Sequence, residues 1–256
     1  MLPLLAASLL TVSAGQAQMP APEVLDAEAR TILRFQDDTL RKWRAAPRIL
    51  YLGLRPDDPA LARTVEMLSE DTGHALTVTR LDPTHAMTRE GLRDYHLFAR
   101  RRSEDGSLQL FLDTPEGEIP AEIFVFSLPV AQAAFFLLKI QLGTVDRLTL
   151  EKSYLRNPGA CFFSMLSRPE GLAAAFVFID PDLDLDLDDA YHARCIHEEL
   201  YQTMGLPNDS EGSEWFNFDD LALSKDPRWD RALVRWLYQR EIVTGTPLDA
   251  VTITLR

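Results

Sequence analysis

The chain has 256 residues, of which 46% are hydrophobic and 25% charged. This balance is typical of globular proteins and excludes a wholly disordered or fibrous chain. Lysine and arginine number 26 against 39 aspartate and glutamate, so the formal net charge is −13. Such an acidic chain repels phosphate backbones and anionic membrane surfaces, and we therefore expect no nucleic-acid partner.

The first residues of the chain have the pattern of a signal peptide. Residues 2–12 form an apolar run that is long enough for the hydrophobic part of such a signal and too short to span a bilayer. Gly15 and Ala17 then supply small side chains at positions −3 and −1 of a cut after Ala17. No lysine or arginine precedes the run, so a buried N-terminal element stays open as the alternative. Export would leave a periplasmic or secreted protein that lacks a membrane span.

Cys161 and Cys195 are the two cysteines of the chain. In an exported protein they are able to form one disulfide, whereas in a reducing compartment they would be two buried thiols. Two cysteines alone do not make a zinc site.

The residues that follow the apolar N-terminal run predict a helical lead-in and then a β-α-β unit. A polar, helix-prone lead-in covers residues 18–46, and residues 48–54 read as a strand. Asp58 and Pro59 then begin a helix that runs to about residue 74, and residues 75–81 alternate like a half-buried strand.

The middle of the chain is harder to interpret. Residues 83–120 are charged and rich in loop formers, with one short strand at 108–112 and a solvated turn at Arg100–Arg102. Further apolar runs predict strands at 121–128, 160–166 and 172–179, and a helix packed on the core at 130–142.

A helix over residues 191–205 carries the candidate chemistry. Gly205 followed by Pro207 is a typical helix stop. Glu198 and Gln202 are four residues apart and therefore project from one face, while Glu199 lies about 100° around the helix.

The spacing of these residues has a parallel in zinc peptidases. In the zincin pattern H-E-x-x-H, two zinc ligands at i and i+4 flank a general base at i+1, and the metzincin extension x-x-G-x-x-H adds a third ligand. Aligned on Gly205, this chain reads E-E-x-x-Q-x-x-G-x-x-N. Glu199 then takes the base position, and Glu198, Gln202 and Asn208 take the three ligand positions.

The same segment resembles a zincin-like family of bacterial exported proteins, catalogued as domain of unknown function 2927. Its motif C-I-x-E-E-L-x-Q-x-x-G-L-x-N-D-S is matched at residues 195–210, and F-D-D at 218–220 and L-Y-x-R at 237–240 follow. The resemblance implies an α+β, zincin-like fold, in which a mixed sheet supports a central helix of active-site type and a C-terminal helix. It also implies a turn beneath the site that contains Asn217, Asp219 and Asp220, although an extra aromatic residue displaces this turn by one position.

On this reading, residues 1–17 are a signal peptide, residues 18–46 a helical lead-in and residues 47–256 one zincin-like domain with an insertion around 83–155. The resemblance implies a divalent metal, but one carboxylate and two amides are weak ligands for zinc. An oxygen set of Glu198, Gln202 and Asp209 suits calcium or manganese better. An alternative frame that starts at His197 has Tyr201 where a second histidine would stand.

Two functions remain open from the sequence. The first is an atypical metal-dependent hydrolase of peptide or amide bonds, with Glu199 as general base and a peptide or cell-envelope substrate. The second is a non-catalytic periplasmic binding or interaction module that retains the zincin fold without the metal.

Overall fold

The fold is described from a computed structural model of the chain. It describes residues 22–53, 55, 57–82, 84, 88, 90–101, 108–128, 161–179, 189–208 and 228–255. The predicted signal peptide, the predicted helix at 130–142 and the candidate residues Asp209, Asn217, Asp219 and Asp220 lie outside these ranges.

Helices and strands both contribute to the described part of the chain. The α-helices are α1 (Pro22–Leu33), α2 (Pro59–Thr72), α3 (Asp189–Gln202) and α4 (Arg228–Leu237), with 3₁₀ turns at Gly91–Asp94 and Leu248–Ala250. The strands are β1 (Arg48–Gly53), β2 (Thr77–Leu81), β3 (His96–Arg101), β4 (Leu108–Thr114), β5 (Gly117–Ala121), β6 (Ile123–Ser127), β7 (Cys161–Arg168) and β8 (Gly171–Ile179).

A five-stranded mixed sheet forms the centre of the molecule. Its strand order is β2-β1-β6-β8-β7. Neighbours are parallel from β2 to β8, and β7 alone runs antiparallel at one edge. The β-α-β unit predicted at the start of the chain is present as β1, α2 and β2, and a mixed α+β architecture is confirmed.

A second sheet corrects the prediction of a loop-rich segment at 83–120. Strands β3, β4 and β5 form an antiparallel sheet, and Arg100 and Arg101 belong to β3 and not to a solvated turn. The guanidinium of Arg100 lies 4.7 Å from the ring centre of Phe98 and pairs with Glu118 across the sheet at 2.6 Å. A charged residue is stable in this strand because its head stays exposed while the rings beneath it are covered.

The two faces of the central sheet pack against different layers. Alternate residues such as Ile49, Val125 and Val177 join the helices in one apolar cluster. Their neighbours, including Leu50 and Phe176, join the second sheet in another cluster. This alternation follows from the two-residue period of a strand, and it places the helices on one side of the central sheet and β3–β5 on the other.

A disulfide links Cys161 of β7 to Cys195 of α3, with their Cα atoms 5.9 Å apart. The pairing that the sequence left open is therefore present. It joins the antiparallel edge strand to the helix that carries the motif. Across the described ranges, no helix is both long and apolar enough to cross a membrane.

Candidate functional site

Helix α3 packs on α2 and against strands β7 and β8. Ile196 and Leu200 project into the core, and the helix ends in a turn at Gly205. Gly205 has a φ of 113°, and a Cβ on it would lie 2.2 Å from the carbonyl oxygen of Arg41. Only glycine meets both conditions, so the predicted helix stop is also the point where α3 passes close to another backbone segment.

The three candidate residues on α3 are all buried. The exposed fraction is 2% for Glu198, 4% for Glu199 and 2% for Gln202, and each side chain has interaction partners within the chain. A buried carboxylate is stable only when charges or hydrogen-bond donors compensate it. These three residues of the motif therefore lie in the interior of the molecule.

Asn208 has a structural task at the end of α1. Its Nδ2 donates hydrogen bonds to the carbonyl oxygens of Thr31 at 3.0 Å and Arg34 at 2.6 Å. The last carbonyls of a helix have no partner within the helix, and a side-chain amide is able to satisfy them. Asn208, the residue at the proposed third ligand position, thus caps the C-terminal end of α1, which lies far away in the sequence.

Near its beginning, α3 contacts α2 through a buried pair. Nε2 of His192 lies 2.6 Å from Oδ2 of Asp58, and both side chains are almost wholly buried. The other oxygen of Asp58 accepts hydrogen bonds from the backbone N–H groups of Ala60 and Leu61 and so caps α2. Burial alone would raise the pKa of Asp58, but the hydrogen bond and charge of His192 outweigh it and lower this pKa.

A second buried carboxylate joins three helices. Asp71 of α2 accepts hydrogen bonds from Tyr201 of α3 at 2.6 Å, from Arg231 of α4 at 2.8 and 2.9 Å, and from Arg235 of α4 at 2.7 Å. Burial raises the pKa of Tyr201 and the acceptor Asp71 raises it further. Tyr201 is therefore a neutral donor within a structural network.

His197 and Tyr201, the two positions of the alternative frame, pack beside the same network. The ring of His197 stacks on that of Tyr201 with 4.2 Å between their centres. Its Nε2 lies 3.8 Å from Oδ2 of Asp230, which is beyond hydrogen-bonding distance. His197 thus packs against the residue that would have to be its fellow ligand.

A cleft of about 590 Å³ opens beside β7. Its walls come from β7, from the segment after α1 and from the turn after α3. The lining residues are Arg34, Phe35, Gln36, Asp37, Arg41, Phe163, Ser164, Met165, Leu166, Ser167, Arg168, Pro169, Pro207 and Asn208. Among the described residues of the motif, Pro207 and Asn208 line the cleft.

A comparison with protein families identifies the chain. The model of the family described as "Protein of unknown function (DUF2927)" matches residues 24–256. The chain belongs to this family. Neither a curated protein nor a solved structure matches it. The family match covers the β-α-β half of the DUF2927 chain as well as the motif that carried the resemblance.

The donor set of this DUF2927 protein does not fit a zinc centre. Glu198 is the one carboxylate at the three proposed ligand positions, and the amide of Asn208 is oriented by the carbonyl groups of α1. Within the described ranges, no group of three histidine, cysteine, aspartate or glutamate side chains is placed to hold a metal ion. We therefore assign no chemical step to a metal here.

The sequence did not point to Asp58, Asp71 or the cleft. Asp58 was predicted only as a cap, and Asp71 is one of many acidic residues on a helix. Their partners, His192 and Tyr201, follow more than 100 positions later, and no local pattern indicates such a contact. The available sign of a buried contact was that Asp71 is an acidic residue on the apolar face of α2.

Proposed function

We propose that this DUF2927 protein is an exported binding module for extended peptide segments. In this proposal it keeps a zincin-like arrangement of sheet and helix without using a metal. The observation that carries the proposal is the cleft along β7. The family membership, the antiparallel edge strand and the buried motif on α3 are consistent with such an arrangement.

The cleft follows the edge of β7, and this decides what it is able to bind. Residues 163–168 all line it in succession, although successive side chains of a strand point to opposite faces. β7 also has an irregularity between Leu166 and Ser167, and in this proposal a cavity that touches all six residues reaches the backbone of β7 as well as its side chains. Because β8 occupies the other edge of β7, the cleft lies at the outer edge, where no strand among the described residues pairs.

An outer strand edge presents backbone N–H and C=O groups in a row. An extended peptide that adds a strand to this edge satisfies those groups with its own backbone, and its alternate side chains enter the pockets beside the strand. Phe163, Met165 and Leu166 supply apolar contacts along the way. An extended peptide is therefore the ligand that this cleft matches best.

The decisive experiment measures binding of an acetylated, amidated hexapeptide by fluorescence anisotropy. Two N-methylated versions of the peptide, blocked at odd or at even positions, serve as matched controls. We expect one version to lose at least tenfold in affinity and the other to bind like the parent, because only one edge of the peptide faces β7. Equal loss or no loss for both versions would contradict strand addition.

A hydrolase is the second candidate, and the burial of two adjacent carboxylates favours it. Glu199 is 4% exposed, and burial of a carboxylate is costly even when partners compensate it in part, so two buried carboxylates side by side favour a chemical role for one of them. We test it by incubating the protein with a mixed peptide library and reading cleavage by mass spectrometry. Binding without cleavage supports the module, whereas cleavage that disappears in Glu199→Gln would establish the hydrolase instead.

A further inference from the structure

We infer that residues 244–248 position one wall of the cleft beside β7 and thereby set the affinity of the cleft for an extended peptide. This wall is formed by residues 34–41, the segment after α1. The inference rests on the proposed function, since it concerns how the same cleft is kept in shape. None of the residues 244–248 belongs to the described lining of the cleft, so they would act through the wall and not by touching the peptide.

The 244–248 segment pairs with the wall through its backbone. Three hydrogen bonds, of 2.7, 2.9 and 2.8 Å, run from the N–H of Gly245 to Leu40, from that of Leu40 to Thr246 and from that of Leu248 to Asp38. An isolated antiparallel bridge also pairs Thr39 with Pro247. Residues 38–40 lie between Asp37 and Arg41, which both line the cleft. The 244–248 segment therefore holds the part of the wall that connects two lining residues.

The backbone of Asp38 shows why this part of the wall depends on its neighbours. Its φ of 52° lies in the left-handed region, which residues with a side chain adopt sparsely. Such a conformation persists where the surrounding contacts determine it. The N–H of Asp38 donates to the carbonyl oxygen of Phe35 at 2.9 Å, and its own carbonyl accepts the hydrogen bond from Leu248. The 244–248 segment thus supplies one of the two backbone contacts that fix this turn.

The same segment reaches the turn between β7 and β8. A Cβ on Gly245 would lie 3.3 Å from the carbonyl oxygen of Pro169, a lining residue to which Arg41 of the wall donates a hydrogen bond at 3.3 Å. A Cβ on Gly171 would lie 2.8 Å from the carbonyl oxygen of Lys42. Glycine allows backbones to approach this closely. The wall, the β7–β8 turn and the 244–248 segment therefore meet near Pro169, and this junction fixes the position of the wall relative to β7.

The position of the wall matters because strand addition has a narrow geometry. Neighbouring strands lie about 4.8 Å apart, so a wall that moved toward β7 would crowd the backbone of an added peptide. A wall that became mobile would have to be ordered when the peptide binds, and this ordering lowers affinity. Either change would weaken binding although every residue that lines the cleft is unaltered.

Glycine-to-alanine substitutions at the junction are matched by two controls with similar backbone angles. Gly245, with a φ of 84°, is matched by Gly73 with 69°, and Gly171, with 139°, by Gly117 with 126°. A Cβ on either control glycine would meet nothing within 4 Å. Each control therefore introduces the strain of a left-handed alanine without crowding a neighbour, and neither glycine belongs to the described lining of the cleft.

The measurement is fluorescence anisotropy with an acetylated, amidated hexapeptide in which valine alternates with threonine, two residues that favour extended structure. The full chain and the four variants are compared at a temperature at which circular dichroism shows all of them folded. We expect Gly245→Ala to weaken binding by about tenfold and Gly171→Ala by more, because its Cβ would lie closer to a backbone oxygen. Gly73→Ala and Gly117→Ala should bind like the natural chain.

Thermal unfolding of the same variants separates positioning from general destabilisation. All four substitutions should lower the melting temperature, since alanine is strained at each position, whereas only the two at the junction should lower affinity. If Gly171→Ala does not fold, the comparison of Gly245→Ala with Gly73→Ala alone carries the test.

The outcomes separate the inference from the function beneath it. Unchanged affinity in Gly245→Ala, or an equal loss in Gly245→Ala and Gly73→Ala, would overturn the positioning role and leave peptide binding intact. Failure of the natural chain to bind the peptide would overturn the proposed function, and the inference with it.

Discussion

Asp71 connects three helices of the helical layer. Its buried carboxylate receives donors from α3 and from two positions of α4. Burial by itself would raise the pKa of Asp71, but hydrogen bonds from Arg231, Tyr201 and Arg235 outweigh it and hold this pKa below the ordinary value of 3.8. Asp71 therefore stabilises the fold in its ionised form.

Replacement of this carboxylate should be costly. We expect Asp71→Asn to lower the free energy of unfolding at pH 7 by about 1.5–3 kcal/mol, because hydrogen bonds between charged groups are replaced by weaker ones to a neutral amide. Urea unfolding measures the change. Glu70→Gln is the control, since Glu70 is 65% exposed and pairs with the same Arg231 at 3.1 Å, and it should cost less than about 1 kcal/mol.

The lowered pKa of Asp71 determines how the free energy of unfolding depends on pH. A carboxyl group whose pKa is lower in the folded state contributes its full stability above its unfolded pKa, near pH 4, and loses it as the pH falls through the folded value. The deficit of Asp71→Asn should thus be largest at neutral pH and shrink below about pH 4. A deficit that is the same at pH 7 and pH 3 would show that the carboxylate charge is not the cause.

A substitution at Asn208 tests whether this residue has a structural role or binds a metal. Asn208→Ala removes the donor that satisfies the carbonyls of Thr31 and Arg34 at the end of α1. We expect a loss of about 1 kcal/mol in the free energy of unfolding, the net contribution of a typical hydrogen bond of this kind. The loss should be the same in chelator and in calcium- or manganese-containing buffer. A loss that appears only with metal would restore Asn208 as a ligand.

At the scale of elements, the disulfide attaches the edge strand β7 to the helix that carries the motif. The Cys161–Cys195 bond closes a loop with a sequence separation of 34 and joins β7 to α3. Loop-closure entropy predicts that Cys161→Ala/Cys195→Ala loses about 3–4 kcal/mol in the free energy of unfolding. Urea unfolding of both proteins, with and without reductant, measures the change. If reductant affects both proteins equally, the bond does not form in solution.

The sequence predicted those helices and strands whose pattern lies within a few neighbouring residues. Strands β1 and β8 are dense in apolar residues, and α2 begins with Asp58 and Pro59 and ends at Gly73, so their positions follow from pattern and capping. Strand β5 was missed because Gly117 and Pro120 argue against a strand. Its stability comes from pairing with β4, and an edge position tolerates the proline.

Within the candidate site, too, local relations could be predicted from the sequence and long-range contacts could not. The four-residue spacing of Glu198 and Gln202 correctly predicted two neighbours on one helix face, because helix geometry fixes that relation. The hydrogen bonds of Asn208 to α1 and of Tyr201 to Asp71 join segments separated by 177 and 130 positions at their widest. The sequence alone gives no measure of such contacts, so the hydrogen bonds that Asn208 and Tyr201 make to distant helices could not be predicted from it.

At the scale of the whole molecule, the charge is strongly negative. The chain carries a formal net charge of −13. Like charges repel, so such a chain disfavours the approach of polyanions such as nucleic acids, as the sequence analysis expects.

Export is the part of the proposed function that concerns the whole chain. Cleavage after Ala17 would leave a mature protein that begins at Gln18, upstream of the first residue of α1. Residues 1–17 contain no charged side chain, so processing leaves the net charge at −13 and only the mass reports it. An oxidising compartment is also where the Cys161–Cys195 bond forms and persists.

The prediction is tested by expressing the chain from its own start in a bacterial host and fractionating the cells. We expect intact-mass analysis of the periplasmic fraction to find a protein that starts at Gln18 with both cysteines oxidised. Ala17→Leu is the control, because a larger side chain at −1 should slow cleavage and retain the longer species. A cytoplasmic protein that keeps Met1 and two reduced cysteines would show that the apolar run is part of the fold, and the peptide-binding cleft would then have to serve a ligand inside the cell.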